Sequence, residues 1–355
     1  MSMRLGIIGA GAIGKIHAKA AKEAGTTVAC VADLDIERAQ DLAAKYEGCT
    51  AAASIDELLA DESIHAVVVG VPNKWHKDLA IQAMQAGKDV LLEKPMGLNA
   101  KECEQINAVA TETKSILQIG LVYRSSAAAQ AAKQVIDSGD LGNIYHAKAH
   151  LFRRRGVPGL GGWFTTKALS GGGPLIDLGV HIIDITSWLM DFPKPERVSG
   201  KVYSYFGKRM QDYVFEDMWA GPPKLDGTCD VEDSAHAMIH FDNGCSLDLQ
   251  VSWAINMPTP NMASAETIGI FGDQGGLTFK LFGEHVDVAT EQYGRNVDER
   301  ILLTKTDQFV EQAKKFAHSV LKRETPAATG EQGLVVQQII DAIYESSETN
   351  REVAL

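Results

Sequence analysis

The first 124 residues alternate between short apolar runs and stretches in which apolar positions recur with helical spacing. The apolar runs predict strands at 4–8, 28–33, 66–71, 90–93 and 116–122. The helically spaced stretches predict helices at 13–24, 36–46, 55–60, 74–86 and 100–113. Ser54 and Glu57 have the spacing of a capping box at the start of one of these helices. Strands and helices in alternation are typical of a parallel sheet wrapped by helices.

The pattern changes after residue 124. A helix is predicted at 127–137, a strand at 144–153, and a further helix that begins at Pro174. From Arg197 onward, alternating apolar and polar positions predict a meander of strands. Within it, Asp242-Asn243-Gly244 between two alternating runs predicts a tight hairpin.

Two helices, predicted at 307–322 and 331–347, end the chain. The fold class is therefore α/β, in two domains that follow one another in sequence. Residues 1–124 are predicted to form a doubly wound parallel sheet domain. Residues 125–355 are predicted to form an α/β domain with a large, mainly antiparallel open sheet.

Composition restricts the classes of function. The net charge of −12 is the opposite of what a nucleic-acid-binding surface requires, and Arg153-Arg154-Arg155 is the densest basic run. The five cysteines are scattered and none has CxxC spacing, so we expect neither a disulfide framework nor a zinc or other metal site. No charged-then-apolar leader and no apolar run of membrane-spanning length is present, so we expect a cytoplasmic protein without a membrane partner.

The clearest motif is glycine-rich and lies between the first predicted strand and the first predicted helix. Its sequence is Gly9-Ala10-Gly11-Ala12-Ile13-Gly14. Glycines at these positions permit a tight turn, a close approach to a pyrophosphate and close helix packing. Asp33 ends the second strand about 20 residues further on, where a carboxylate binds ribose hydroxyls and repels a 2′-phosphate. These residues predict a dinucleotide site that takes NAD, with NADP less favoured.

Two other segments follow predicted strands at the same edge of the sheet, Val68–His76 (VVGVPNKWH) and Leu91–Pro95 (LLEKP). A third, Gly173–Asp184 (GPLIDLGVHIID), begins the helix of the second domain. In order and spacing, these segments and the glycine motif resemble the glucose–fructose oxidoreductase / inositol 2-dehydrogenase (Gfo/Idh/MocA) family of NAD(P)-dependent oxidoreductases. The resemblance extends over essentially the whole chain and implies a Rossmann domain at the N-terminus.

The resemblance implies an NAD-dependent dehydrogenase or reductase that interconverts a secondary alcohol and a ketone on a sugar, glycoside or cyclitol. It implies that Lys94, His181 and Asp177 are catalytic, with Asp184 supporting them. On the cofactor side it implies contacts from the glycine motif, Asp33, Val71, Pro72, Asn73, His76, Glu93 and Lys94. The substrate is expected to contact Lys94, Tyr123, Arg124, Trp163, Asp177 and His181.

These residues also suit the chemistry by themselves. Oxidation of a secondary alcohol removes a hydride and a proton, so a base must lie beside the hydroxyl oxygen. Histidine titrates near neutrality, so His181 can take that proton or return it. Lys94 can donate a hydrogen bond to the oxygen as negative charge develops. The i,i+4 spacing of Asp177 and His181 places them on one face of an α-helix.

Two other functions stay open. A non-catalytic regulatory protein could keep the nucleotide site and sense a sugar, and a glycosidase-like enzyme could use NAD transiently and return it unchanged. For assembly, we expect one face of the second sheet to be apolar and exposed. The resemblance implies a homodimer or homotetramer that forms through this sheet.

Overall fold

The chain folds into two compact units. The computed structural model describes residues 3–213, 220–258, 261 and 265–355. Unit 1 comprises Met1–Ser125 and Asp307–Leu334, and unit 2 comprises Ser126–Thr306 and Val335–Leu355. The predicted boundary after residue 124 thus falls one residue before the observed one. Residues 307–334, however, were predicted in the second domain and pack within unit 1.

Unit 1 contains a parallel six-stranded sheet with the strand order β3-β2-β1-β4-β5-β6. The strands are β1 Arg4–Ile8, β2 Thr27–Ala32, β3 Thr50–Ala51, β4 Ala66–Val69, β5 Asp89–Leu92 and β6 Leu117–Ile119. The helices are α1 Ala12–Glu23, α2 Ile36–Ala43, α3 Ile55–Ala60, α4 His76–Gln85, α5 Ala100–Thr113 and, from the later part of the chain, α9 Gln308–Lys322. The predicted doubly wound domain is confirmed.

Helix α9 belongs to unit 1 because its apolar stripe completes the core there. Phe316 and Val320 are buried in one cluster with Leu5 of β1 and Val31 of β2. All positions of β4 and β5 are buried, as expected for parallel strands with both faces covered. Sequence periodicity predicts that α9 buries one face. It does not show which of the two hydrophobic cores that face packs against.

The last strand of unit 1 is shorter than the predicted 116–122. β6 ends at Ile119, and residues Val122–Ser125 form a 3₁₀ turn. Tyr123 and Arg124 therefore lie in this turn and not at a strand end. The turn is closed by a backbone hydrogen bond from Arg124 N–H to Leu121 O, which sequence patterns do not reveal.

Unit 2 contains a nine-stranded sheet with the order β14-β13-β12-β11-β7-β10-β9-β8-β15. The strands are β7 Ile144–Phe152, β8 Pro195–Tyr203, β9 Ser234–Phe241, β10 Ser246–Ser252, β11 Glu266–Gly272, β12 Gly275–Phe279, β13 His285–Gln292, β14 Arg295–Leu302 and β15 Val353–Ala354. Only the β7–β10 pair is parallel among these described strands. The mainly antiparallel sheet is confirmed, and the β9–β10 hairpin turns at the predicted Asn243-Gly244.

The helices of unit 2 are α6 Ala127–Asp137, α7 Lys167–Ser170, α8 Val180–Leu189 and the later part of α10 Gly330–Thr349. Helix α8 packs against β7, whose buried side chains alternate with exposed or half-buried ones. Across the described part of the chain, no helix is long and apolar enough to cross a membrane.

The sheet face opposite α8 is polar where β7, β10 and β9 meet. Lys148 pairs with Asp248, and His150 pairs with Gln250, which in turn pairs with His236. We predicted an apolar exposed face here, and this part of the prediction is wrong. Alternation along a strand identifies which residues face outward from the sheet. It does not show which strands lie side by side, and the polar residues of this face come from strands that are far apart in sequence.

Candidate functional site

The glycine turn joins β1 to α1 and has the geometry that a pyrophosphate requires. Gly9 has a φ of +100°, which favours glycine, and a Cβ on Gly14 would overlap the carbonyl oxygen of Gly9. Gly11 caps α1 without a side-chain hydrogen bond, and a Cβ on it would meet open space. The start of α1 therefore offers backbone N–H groups, at Ala12 and Ile13, of the kind that bind phosphates.

Asp33 lies directly after β2 and contacts the glycine turn. Its Oδ2 accepts a hydrogen bond from Ala10 N–H at 2.6 Å, and its Oδ1 accepts one from Asp35 N–H at 2.9 Å. The carboxylate is therefore fixed at the carboxyl edge of the sheet, beside the turn that would hold the pyrophosphate. This is the arrangement expected for a residue that binds the adenosine ribose.

Glu93 and Lys94 follow β5 at the same edge, since β1, β4 and β5 are neighbours in the sheet. Glu93 is buried, and its Oε1 lies 2.6 Å from Nε2 of His17 on α1. Burial opposes ionisation of Glu93, but the hydrogen bond and charge of His17 outweigh it and lower the pKa of the carboxyl. Glu93 Oε2 accepts a hydrogen bond from Lys94 N–H at 3.1 Å. Glu93 therefore fixes the backbone from which the Lys94 side chain projects.

The segment after β4 contains four predicted cofactor contacts. Val71 and Pro72 are half-buried, and Asn73 is buried at the start of a 3₁₀ turn. His76 is fully buried, with Nδ1 2.6 Å from Pro95 O and Nε2 2.9 Å from Val71 O. Burial lowers the pKa of His76. The ring thus contacts the backbone of both the loop after β4 and the loop after β5. His76 therefore holds these two loops together by way of their backbone.

The helix of the predicted catalytic residues begins irregularly. Residues Leu175–Gly179 form a π turn, and α8 continues from Val180. Asp177, His181 and Asp184 are all buried, with Asp184 1% exposed. The prediction assumed regular α-helical spacing, but the wider π turn changes the direction of Asp177 relative to His181. Single π turns occur frequently at functional sites.

Three predicted substrate contacts differ in their surroundings. Tyr123 is half-buried, whereas Arg124 is buried and donates to Ala327 O at 3.0 Å and to Gln332 Oε1 at 2.6 Å. Both of these partners lie in unit 1, and the contact of Arg124 with the substrate stays a prediction. Trp163 is half-buried in unit 2 and its ring stacks on Phe164 at 3.8 Å.

Comparison with known proteins identifies the family of this chain. The family model described as "Oxidoreductase family, NAD-binding Rossmann fold" matches residues 3–121, and the GFO/IDH/MocA C-terminal domain matches residues 129–278. The D-glucoside 3-dehydrogenase of Escherichia coli K12 is 30% identical over 99% of this chain and 97% of the relative. The chain belongs to the Gfo/Idh/MocA oxidoreductase family.

Two further proteins are similar over nearly the whole of this chain. The NADP⁺-dependent D-xylose 1-dehydrogenase of Haloarcula marismortui is 27% identical over 99% of this chain and 93% of the relative. Levoglucosan dehydrogenase, solved in complex with NADH and levoglucosan, is 21% identical. Its TM-score of 0.86, over 100% of this chain and 99% of that one, shows a shared fold.

The sequence analysis of this Gfo/Idh/MocA protein did not identify two residues that contact predicted site residues. Trp253 is 1% exposed and donates from Nε1 to Asp177 Oδ2 at 3.0 Å. His17 holds Glu93, as described above. The position of His17 three residues after Gly14 was a usable signal, since it places a polar side chain on the first turns of α1. Nothing in the sequence joins Trp253 to Asp177.

Among the described residues, no group of three or more His, Cys, Asp or Glu could hold a metal ion.

Proposed function

We propose that this protein is an NAD-dependent dehydrogenase that oxidises a secondary hydroxyl of a glycoside, sugar or cyclitol ring to a ketone. The observation that carries the proposal lies in unit 1. Lys94, with its backbone fixed by Glu93, follows β5 at the same sheet edge as the glycine turn. An amine beside a dinucleotide site suits a reaction in which negative charge develops on a substrate oxygen.

Each part of the site is assigned a task in this mechanism. The N–H groups at the start of α1 hold the pyrophosphate, and Asp33 binds the ribose. Bound NAD supplies the hydride acceptor. His181 is assigned as the general base for the hydroxyl proton, and Lys94 as a hydrogen-bond donor to the negative charge that develops in the reaction. Asp177 binds a neighbouring hydroxyl or orients His181.

The names of the relatives support a ring substrate. The E. coli relative is a D-glucoside 3-dehydrogenase, and an inositol 2-dehydrogenase of Saccharopolyspora erythraea is 32% identical over 54% of this chain. Trp163, half-buried and stacked on Phe164, offers an aromatic face on which the apolar side of a sugar ring packs. We therefore propose glycosides and cyclitols as the first substrates to test.

The test is a panel of glycosides, aldoses and cyclitols with NAD, read by the absorbance of NADH. Net NADH formation supports a dehydrogenase. A product formed while NAD is returned unchanged would identify the transient use of NAD instead, and binding without turnover would identify a regulatory protein.

The catalytic residues are tested by Lys94→Ala and His181→Asn, with Lys101→Ala and His318→Asn as controls at exposed positions of unit 1. We expect the first two to lower kcat by about 10²–10⁴-fold. The affinity for NAD should stay nearly unchanged in His181→Asn, because His181 is not among the expected cofactor contacts. Near-normal turnover in both would refute the mechanism.

The preference for NAD is tested at Asp33. In Asp33→Ser we expect weaker NAD binding and improved NADP binding, because the ribose contact and the repulsion of a 2′-phosphate are both lost. Asp35→Ser is the control, since Asp35 caps α2 and is exposed. Equal affinity of the unmodified protein for NAD and NADP, measured by fluorescence quenching, would contradict the assignment.

For assembly, we propose a homodimer or homotetramer formed through the sheet of unit 2. The proposal rests on the family resemblance, and the polar side chains on the face opposite α8, among them Lys148, His150 and Asp248, mean that such an interface would use hydrogen bonds and ion pairs. Light scattering at micromolar concentration is expected to give a multiple of 38.3 kDa. A monomer mass would overturn this proposal.

A further inference from the structure

An acidic segment of unit 2, residues 230–233, lies immediately before β9, and its carboxylates hold three separate pieces of backbone. Asp230 Oδ1 accepts a hydrogen bond from Lys167 N–H at 2.6 Å. Asp233 Oδ2 accepts hydrogen bonds from the N–H groups of residues 205–207. Glu232, between them, is 5% exposed and points to the start of the helix that carries the catalytic residues.

Glu232 accepts three hydrogen bonds. Its Oε2 accepts from Gly173 N–H at 2.9 Å, and its Oε1 accepts from Leu175 N–H at 3.1 Å. The hydroxyl of Tyr344 on α10 donates to the same Oε1 at 2.9 Å. Both carboxylate oxygens are therefore occupied, and two of the three donors belong to the backbone that leads into the π turn.

These donors are the groups that a helix start leaves without partners. Pro174 has no N–H and gives no side-chain cap, so the donors on either side of it need an external acceptor. Glu232 supplies this acceptor from another part of the chain. A negative charge at this end also interacts favourably with the helix dipole.

The packing around Glu232 is so close that only glycine fits at two neighbouring positions. A Cβ on Gly173 would overlap the carbonyl oxygen of Glu232, and a Cβ on Gly172 would overlap the hydroxyl of Tyr344. Gly171, before them, has a φ of +86°. The glycine-rich loop is thus shaped to fit the Glu232–Tyr344 pair, which is an observation independent of the hydrogen bonds.

We propose that Glu232 is a positioning residue for the oxidation: it fixes the first turn of the helix that carries Asp177 and His181, and Tyr344 fixes Glu232. The inference rests on the proposed function for its kinetic consequence. Its structural consequence, a helix start held by one carboxylate, is independent of that function.

The charge states of the pair are consistent with this geometry. Burial raises the pKa of Glu232, while its backbone hydrogen bonds and that of Tyr344 oppose the rise. All three partners donate, which favours the ionised carboxylate as their common acceptor. Burial and the charge of Glu232 raise the pKa of Tyr344 well above its ordinary value, which keeps its hydroxyl protonated as a donor.

The test compares Glu232→Gln with Glu266→Gln. Glu266 is a matched control because it lies in the same unit, burial also raises its pKa, and it accepts a backbone hydrogen bond from Phe282 at 3.1 Å. Glutamine keeps the size of Glu232 but turns an NH₂ group toward a backbone donor. Hydrogen–deuterium exchange of the Leu175–Gly179 amides, without cofactor or substrate, is the first readout.

In Glu232→Gln we expect about tenfold faster exchange at these amides and a fall in kcat of about 10²-fold, because a small misplacement of reacting groups has an effect of this size. The dissociation constant of NAD, whose proposed contacts all lie in unit 1, should stay within about twofold. Tyr344→Phe, which leaves Glu232 its backbone partners, should give smaller changes in the same direction.

Exchange and kcat indistinguishable from those of Glu266→Gln would overturn the inference. If Glu232→Gln does not fold, Tyr344→Phe decides, and unchanged exchange in that variant overturns it too. If the unmodified protein oxidises no polyol with NAD, the proposed function fails, while the exchange comparison still tests the position of the helix.

Discussion

The hydrogen bond between Trp253 and Asp177 allows a quantitative prediction. Trp253→Phe keeps an aromatic ring at a position that is 1% exposed, but removes the indole N–H that donates to Asp177 Oδ2 at 3.0 Å. A hydrogen bond to a carboxylate is worth about 1.5–3 kcal/mol. The smaller ring also leaves about 40 Å³ unfilled, which costs about 1 kcal/mol.

The sum is a destabilisation of about 2.5–4 kcal/mol. For units of this size, such a change lowers the Tm by about 5–15 °C. Differential scanning calorimetry measures this shift. Trp188→Phe is the matched control, since Trp188 is a half-buried tryptophan on α8 in the same unit, and it should cost about 1 kcal/mol or less.

A double-mutant cycle separates the hydrogen bond from the change in packing. Trp253→Phe and Asp177→Ala, alone and together, should show a coupling free energy of about 1–3 kcal/mol. We also expect kcat of Trp253→Phe to fall about 10-fold or more, because Asp177 loses the group that fixes its orientation. Additive effects, or a Tm equal to that of Trp188→Phe, would show that this hydrogen bond is not an important interaction.

Two predictions concern unit 1. In Glu93→Gln the stabilising charge interaction with His17 is lost. The pKa of Glu93 is lowered in the folded protein. The contribution of Glu93 to stability is therefore present above the ordinary glutamate pKa and disappears as the pH falls through the pKa of the folded protein. Urea unfolding should therefore show the variant less stable than the unmodified protein near neutral pH, with the difference shrinking in acid, and a constant difference would contradict the assignment. In Gly14→Ala the added Cβ overlaps Gly9 O, so we expect loss of NAD binding by titration calorimetry with little change in the far-ultraviolet circular dichroism, and unchanged affinity would refute the assigned contact.

Local patterns determined much of unit 1. Parallel strands that are covered on both faces must be continuously apolar, so β1, β2, β4 and β5 were predicted within one or two residues. The glycine turn was predictable because positive φ and close packing at Gly9 and Gly14 exclude other residues. These are constraints that act within a few residues of sequence.

Tertiary structure decided what depends on distant partners. Helix α9 was recognisable as amphipathic, but only packing assigned it to the core of unit 1. At the start of the π turn that contains Asp177, backbone N–H groups donate to a distant acceptor, Glu232. Likewise, the hydrogen bond from Trp253 to Asp177 joins two residues that are 76 positions apart in the chain. The sequence determined which residue types could perform the chemistry. Three-dimensional packing determined which buried side chains hold these residues in place. Contacts of this kind join positions that are far apart in the chain, and the local sequence patterns at the two positions are independent of one another.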